Sequence, residues 1–227
     1  MGQEPYAILV GGPATGSDLY ASGPGGEPVV PLTYSAVSEL APALAPDGDG
    51  VAFLRALSLV DSTPATVWVM DLRSGYEREI VLPKRAGIPA AVGWSGDGSL
   101  VIRSAGGLYR AETPFQGGRA APVPVGRRAA ADSALAVLLG DPVFARVVPC
   151  DGGTALCTEG RNGATAPLVS DAHGPVRWGR DSVAFFRGSA LEIRPLGPGR
   201  PRALEWRERI RHPRAVTFFS PPAQFTR

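Results

Sequence analysis

Three features of the 227-residue sequence predict an all-β fold, a five-bladed β-propeller of four-stranded antiparallel blades. A hairpin pattern, in which an aspartate-containing turn separates two apolar runs, recurs along the chain. Each repeat divides into four short apolar runs, and no long segment has helical periodicity. The 29 glycines and 23 prolines lie largely between these runs, as expected of a chain with many tight turns.

The repeat is visible when the aspartate that precedes the second apolar run is aligned. The aligned residues are 48, 44 and 40 residues apart: Asp49, Asp97, Asp141 and Asp181. A period of about 40–50 residues containing several short strands is typical of a propeller blade. Four full copies are predicted at residues 38–83, 88–126, 134–170 and 174–206. The clearest copy has the runs Ala41–Ala45, Val51–Ala56, Thr66–Leu72 and Glu79–Leu82.

The two ends of the chain complement each other. Only three runs precede the first full copy, Tyr6–Val10, Asp18–Ala21 and Val29–Thr33, and one strand-like run, RAVTFFSP (214–221), follows the last. We expect the C-terminal strand to pair with the N-terminal three strands, so that residues 6–33 and 214–221 form a fifth blade. This pairing removes two exposed sheet edges. The chain is then one domain, residues 1–227.

One segment has two interpretations. The run Ala129–Leu139, AAADSALAVLL, suits a short helix or the small apolar inner strand of the copy at 134–170. We favour the strand because the repeat requires one there.

The best copy resembles a known family. APDGDGVAFLR followed by TVWVMDLRSGYEREIVL is similar to the WD40-like (PD40) repeat of TolB-type β-propellers. The resemblance implies a propeller that binds a partner, often in the bacterial envelope, and it assigns no residue-level site. TolB-type propellers usually have six blades and an additional α/β domain, and this chain has room for neither.

Charge and hydropathy exclude some function classes. The formal net charge of +2 argues against a dedicated nucleic-acid binder. No apolar run has the length needed to cross a bilayer, so membrane insertion is not expected. The N-terminus, MGQEPYAILVGG, has neither a basic region nor a long apolar segment. A cytoplasmic location is expected, or a periplasmic one if a leader has been removed. The sequence does not predict the oligomeric state.

Charged residues separate onto two faces of the expected propeller. The links from a fourth strand to the next first strand, and from a second to a third strand, share one face, which is rich in cations. Glu39, in the link that precedes the first run of the first full copy, is expected at this surface, where it partly offsets the cations. We predict that this face binds a protein, a peptide or an acidic small ligand. The candidate binding residues are Arg85, Arg127, Arg128, His173, Arg177, Arg209, Arg211, His212 and Arg214. The competing interpretation is that these side chains are simply solvated.

Other surface features have structural explanations beside functional ones. The turn aspartates of the opposite face are expected to cap turns rather than hold a metal. Trp94 and Trp178 occupy equivalent strand ends, where packing between blades is expected over a stacking platform. Leu57–Pro64 is the longest second-to-third link and is a candidate lid or binding loop.

Cys150 and Cys157, in PCDGGTALC, are candidates for a disulfide. A hairpin loop of four residues, 152–155, would place them directly opposite each other, whereas a two-residue Gly-Gly loop would place them diagonally. Both registers stay open. Two cysteines and two scattered histidines are too few for a zinc site, and no metal or cofactor is expected.

No standard catalytic motif is present, and no catalytic residue is predicted. The expected inner strands contain no Asp or Glu that could act as a glycosidase acid or base. A non-catalytic binding propeller is therefore preferred. The first alternative is a lyase or hydrolase at the channel mouth, using His173 or His212 beside a carboxylate such as Asp171. The second is a structural module of a longer envelope protein.

Overall fold

The structure of the chain is a computed structural model. It describes residues 4–13, 16–57, 64–116, 120–122, 147–150, 155–159, 165–178, 182–195, 198–204, 206, 210–213 and 215–219. Two short 3₁₀ turns, Lys84–Ala86 and Pro114–Gln116, occur among these residues, and the remaining regular structure is β.

The strands are short, and turns and links separate them. Along the chain they are β1 (Tyr6–Gly11), β2 (Asp18–Ser22), β3 (Val29–Pro31), β4 (Ser38–Leu44), β5 (Gly50–Ala56), β6 (Thr66–Asp71), β7 (Glu77–Ile80), β8 (Pro89–Trp94), β9 (Leu100–Ser104), β10 (Gly107–Ala111), β11 (Ala121–Pro122), β12 (Val147–Cys150), β13 (Ala155–Glu159), β14 (Thr165–Ser170), β15 (His173–Trp178), β16 (Ser182–Arg187), β17 (Ala190–Pro195), β18 (Arg202–Leu204) and β19 (Ala215–Phe219).

The described strands form five antiparallel sheets. The first sheet has the order β19-β1-β2-β3, the second β4-β5-β6-β7, the third β8-β9-β10-β11, the fourth β12-β13-β14 and the fifth β15-β16-β17-β18. The expected all-β architecture of four-stranded antiparallel sheets is confirmed. The expected inner strand of the copy at residues 134–170, with its helical alternative at Ala129–Leu139, lies outside the described residues.

The last described strand pairs with the first. β19 runs antiparallel to β1, with Phe219 opposite Tyr6 and Ala215 opposite Val10. β19 also contacts β4 of the second sheet and β15 of the fifth. The Leu44 backbone N–H donates a hydrogen bond to Thr217 Oγ1 over 3.2 Å, which ties β4 to β19. The first sheet is therefore assembled from both ends of the sequence and lies between the second and fifth sheets.

The described core lies between neighbouring sheets, where apolar side chains of one sheet pack against those of the next. Ile8, Val51 and Phe53 are fully buried between the first and second sheets. Trp94 is buried between the second and third sheets and donates its indole N–H to the Ala43 carbonyl over 2.8 Å. Trp178 is buried between the fifth and first sheets and stacks on Phe218 at 4.0 Å between ring centroids. Both tryptophans therefore have a packing role.

β4 begins earlier than the apolar pattern indicated. The run was expected at Ala41–Ala45, and the strand extends from Ser38 to Leu44. Its register shifts between Leu40 and Ala43, and Ala41 has a φ of 46°. The early part contains Glu39, a charged residue that interrupts any apolar pattern, although it is fully buried in the fold.

In the turns after β4 and β8, the aspartates that occupy the same structural position are not the pair that was aligned in the sequence. Asp47 Oδ1 accepts the Asp49 N–H over 2.9 Å, and Asp97 Oδ1 accepts the Ser99 N–H over 3.1 Å. The following glycines, Gly48 and Gly98, both have positive φ. Asp47, rather than Asp49, therefore corresponds to Asp97. Sequence alignment missed this because Asp49 stands where the other turn has Ser99.

Gly48 allows its turn to pack against the last strand. Its φ is +74°, and a Cβ atom there would lie 2.7 Å from the Phe219 ring. The Tyr6 hydroxyl donates a hydrogen bond to the Gly48 carbonyl, and the Tyr6 and Phe219 rings lie 5.5 Å apart. Burial, followed by the charges of Asp49 and Asp47, raises the pKa of the Tyr6 hydroxyl, so this donor keeps its proton.

We expect Gly48→Ala to destabilise the protein more than Gly75→Ala. Gly75 has a similar φ, +71°, but open space around it, so its substitution measures the backbone cost alone, about 1 kcal/mol. Gly48→Ala adds the displacement of Phe219, and overpacking of this kind costs about 1–3 kcal/mol. Urea unfolding of both variants measures the difference. Equal losses would contradict the packing of this turn on β19.

Candidate functional site

Links of the two classes expected to share a face are joined by hydrogen bonds. The Gly12 N–H donates to the Arg211 carbonyl over 2.6 Å, which connects a second-to-third link with a fourth-to-first link. In the third sheet, the Gly106 N–H donates to the Ala86 carbonyl over 2.7 Å in the same way. We call this surface the basic face. Its described parts are residues 12–13, 16–17, 32–37, 57, 64–65, 81–88, 105–106, 171–172, 188–189, 206 and 210–213.

Three of the nine candidate binding residues have described side chains. Arg85 lies in the 3₁₀ turn Lys84–Ala86, and both Lys84 and Arg85 are exposed. Arg211 and His212 are adjacent and exposed, and the buried Ile210 anchors their link.

The side chains of the other six candidates lie outside the part of the chain that the structure describes. Four lie outside the described residues: Arg127, Arg128, Arg209 and Arg214. For His173 and Arg177 the structure describes only the backbone of β15. Residues 58–63 of the candidate lid Leu57–Pro64 also lie outside the described residues.

A buried carboxylate underlies the basic face. The Glu39 side chain is fully buried, and its two oxygens accept hydrogen bonds from the hydroxyls of Thr33, over 3.0 Å, and Ser35, over 2.9 Å. The Glu39 backbone N–H donates a hydrogen bond to the Ser17 carbonyl, and the Ser17 hydroxyl donates one to the Glu39 carbonyl. Burial raises the pKa of Glu39, and the hydrogen bonds from Ser35, Arg55 and Thr33 oppose that effect.

Arg55 provides the countercharge for Glu39. Its guanidinium contacts Glu39 Oε1 through Nε at 3.1 Å and Nη2 at 2.9 Å, and Nη2 also reaches Glu77 Oε2 at 2.8 Å. The guanidinium carbon lies 4.4 Å from the centre of the Trp68 ring system and 5.2 Å from the Phe53 ring. One arginine therefore holds two carboxylates along a single face of the second sheet.

With Glu39 buried, the exposed charged side chains on the described links of the basic face are mainly cations, and Asp171 is the exposed acid among them. The Glu39 carboxylate is buried and paired with Arg55, and the carboxylate of Asp18 accepts a hydrogen bond from the Ser35 N–H over 2.9 Å. Three large apolar side chains on the same links are exposed: Tyr34 (84 %), Leu57 (70 %) and Ile88 (47 %). Sequence analysis counted Glu39 as a surface charge that offsets the cations, and this was wrong. A lone charged residue between Ser38 and Leu40 carries no signal of its Arg55 partner.

A groove lies on the opposite face, between the second and third sheets. It encloses about 410 Å³, and three turns form its walls. Its floor is the stacked pair Trp94 and Phe115, with ring centroids 5.6 Å apart and planes 16° apart. The lining residues are Ala45, Pro46, Asp47, Trp94, Gly96, Asp97, Gly98, Glu112, Thr113, Pro114, Phe115 and Gln116. Sequence analysis did not find this groove, because Phe115 has no counterpart in the repeat pattern.

The two aspartates that line this groove differ in how many hydrogen bonds and ion pairs they form. Asp97 accepts hydrogen bonds from the Ser95 hydroxyl and the Ser99 N–H, which hold its pKa at about 2, and it pairs with Arg110. Asp47 uses one oxygen to cap its own turn. The expected role of these aspartates in turn capping is therefore observed, and Asp47 also lines the groove.

Cys150 and Cys157 form a disulfide, with Cα atoms 5.9 Å apart. The register places Cys150 opposite Ala155 and Cys157 opposite Val148. This is the diagonal register, and the bridge forms across it. Among the described residues, no group of three or more His, Cys, Asp or Glu side chains could hold a metal ion, and no helix is long and apolar enough to cross a membrane.

Comparison with solved structures supports the fold. A chain of a nidogen/laminin complex superposes with a TM-score of 0.60 at 8% identity, covering 96% of this chain and 100% of that chain. TolB from Acinetobacter baumannii matches at a TM-score of 0.40 and 15% identity, covering 95% and 67%. The periplasmic gluconolactonase of Pseudomonas aeruginosa matches at 0.37 and 18%, covering 98% and 70%. Neither a protein-family description nor a curated protein sequence matches the chain.

The chain therefore has the β-propeller fold, as the repeat pattern indicated. At these identities the similarity concerns the fold alone, and such folds serve both binding proteins and enzymes.

We expect Arg55→Met to cost about 3 kcal/mol of unfolding free energy, because it leaves Glu39 as an uncompensated buried charge. The double variant Arg55→Met/Glu39→Gln should regain part of this loss, since it removes that charge. Arg78→Met is the matched control, because the Arg78 guanidinium contacts Tyr76 and forms no ion pair among the described residues. Urea unfolding measures all three. A double variant less stable than Arg55→Met would contradict the stated origin of the cost.

The raised pKa of Glu39 has a consequence for pH dependence. A raised pKa in the folded state means that folding favours the protonated form, so this contribution is complete below the ordinary pKa of 4.5 and is lost as pH rises through the raised value. Relative to Glu39→Gln, the wild-type protein should lose stability as pH rises above 4.5. Unfolding free energies of both proteins across this range measure the effect. The unfolding free energy of the wild-type protein minus that of Glu39→Gln should fall as pH rises, and a value that stays constant or increases would contradict the prediction.

Proposed function

We propose that this β-propeller is a non-catalytic binding protein that recognises a protein or peptide partner of acidic character through the basic face. The observation that carries the proposal is the combination of exposed apolar and cationic side chains on adjacent links. Tyr34, Leu57 and Ile88 supply contact area, and Lys84 and Arg85 supply charge. Exposed apolar residues that are grouped rather than scattered mark interaction surfaces.

The electrostatic argument depends on where the acids of this face lie. Glu39 is buried against Arg55, so its charge is largely neutralised before it reaches solvent. Lys84, Arg85 and Arg211 are exposed. These cations outnumber the one exposed carboxylate on the described links, Asp171, and such an excess favours an acidic partner and steers its approach.

The proposal extends to the architecture. We propose that the five sheets form a ring of five blades, with the β19–β1 pairing as its closure, in a single domain. The contacts of β19 with β4 and β15 support this arrangement. In such a ring, β4, β8, β15 and β19 line the channel, and the basic face surrounds one of its mouths.

The enzyme alternative required a histidine in a pocket beside a carboxylate. His212 is exposed, and no histidine lines the groove between the second and third sheets. The described residues thus supply no observation that favours catalysis. The disulfide supports an oxidising compartment, so within this proposal the periplasmic or another extracytoplasmic location is preferred over the cytoplasmic one.

The proposal is tested by charge reversal on the basic face. The partner is first identified by cross-linking and mass spectrometry of the protein purified from its native source, and its affinity is then measured by calorimetry. Lys84→Glu/Arg85→Glu should weaken binding about tenfold or more and reduce its dependence on salt. Tyr34→Ser should weaken it with little change in that dependence.

Arg202→Glu is the matched control, because Arg202 is exposed on the outer strand β18, away from the basic face links. Unchanged affinity in both basic-face variants, or an equal loss in the control, would overturn the assignment of this face.

A further inference from the structure

The groove between the second and third sheets is a formed cavity. The capped turns at Asp47 and Asp97 fix two of its walls, and the 3₁₀ turn Pro114–Gln116 forms the third. Its volume, about 410 Å³, lies within the range of small-ligand pockets, roughly 300–1,000 Å³. This groove belongs to the face opposite the basic face, so it plays no part in the proposed function.

The aromatic floor of the groove is held in place from below. The indole N–H of Trp94 is engaged by the Ala43 carbonyl, so the groove meets the ring system rather than a free donor. Phe115 packs so closely over Gly50 that a Cβ atom there would collide with its ring. Phe115, which is half-buried and fixed against the buried Trp94, therefore offers an aromatic surface that needs no rearrangement to receive a ligand.

The charge of the groove has one sign. Among the described residues that line it, three are carboxylates, Asp47, Asp97 and Glu112, and none is Lys, Arg or His. Arg110 neutralises Asp97 from the neighbouring strand. Asp47 and Glu112 are both exposed, and neither forms an ion pair among the described residues. Two carboxylates thus remain at the rim, above an aromatic floor.

We propose that this groove binds a basic peptide segment, with the cationic end of an arginine or lysine side chain held between the Asp47 and Glu112 carboxylates and the Trp94–Phe115 stack. Guanidinium and ammonium groups are attracted both by carboxylates and by aromatic faces. Pro46 and Pro114 at the groove contact the apolar stem that either side chain carries. An acidic peptide would face like charges at the rim.

The test uses a fluorescently labelled peptide with arginines between glycines, capped at both ends, and the same peptide with glutamates in place of the arginines. Fluorescence anisotropy with the whole chain measures both affinities. The arginine peptide should bind and the glutamate peptide should not. Asp47→Asn/Glu112→Gln should weaken binding about tenfold, and Phe115→Leu should weaken it as well. Asn at residue 47 keeps the oxygen that caps the turn.

Glu79→Gln is the matched control for the single variant Glu112→Gln, because Glu79 is exposed on β7, outside the groove, and each change removes one negative charge. Thermal unfolding checks that every variant is folded. Lys84→Glu/Arg85→Glu should leave this binding unweakened, which separates it from the basic face. Absence of binding, equal binding of the glutamate peptide, or equal weakening by Glu79→Gln would overturn the proposal.

Discussion

The pairing of β19 with β1 is the interaction on which the rest of the structure depends. Strand β1 would otherwise expose one edge to solvent, and an unpaired edge of buried sequence such as Tyr6–Gly11 invites association with other chains. β19 covers that edge and contributes to two further junctions. Phe218 stacks on Trp178 of the fifth sheet, and Phe219 packs under the turn of the second sheet. One five-residue strand thus joins the first, second and fifth sheets.

The two faces of the molecule handle charge differently, and this difference underlies both proposed binding surfaces. On the basic face a fully buried Glu39 is neutralised by Arg55, so cations and apolar side chains meet solvent. On the opposite face arginines pair with aspartates of the turns, as Arg73 does with Asp49 and Arg110 with Asp97, whereas Asp47 and Glu112 form no ion pair among the described residues. Carboxylates therefore remain at the groove rim. A chain with a net charge of only +2 can in this way present two surfaces of opposite sign.

Sequence analysis succeeded where the signal is local. The runs Tyr6–Val10, Val51–Ala56 and Thr66–Leu72 match β1, β5 and β6 to within one residue, because a short apolar run bounded by turn residues indicates a strand directly. The sequence was misread at one turn and at one contact between residues on different strands. Asp49 was aligned with Asp97 because both are aspartates that precede an apolar run, whereas the hydrogen bonds of the two turns show that Asp47 corresponds to Asp97. Glu39 was placed at the surface because its partner, Arg55, lies on another strand.

The sequence by itself determined the repeat, the all-β class and the positions of most turns, since each follows from side-chain period and from Gly, Pro and Asp at fixed places. It also marked the chain ends as complementary halves of one sheet. Only the tertiary structure decided which charges are buried and which are exposed, and that Trp94 and Phe115 stack to floor a groove. Burial and electrostatic pairing are properties of residues brought together from different strands, and a linear pattern does not carry that information.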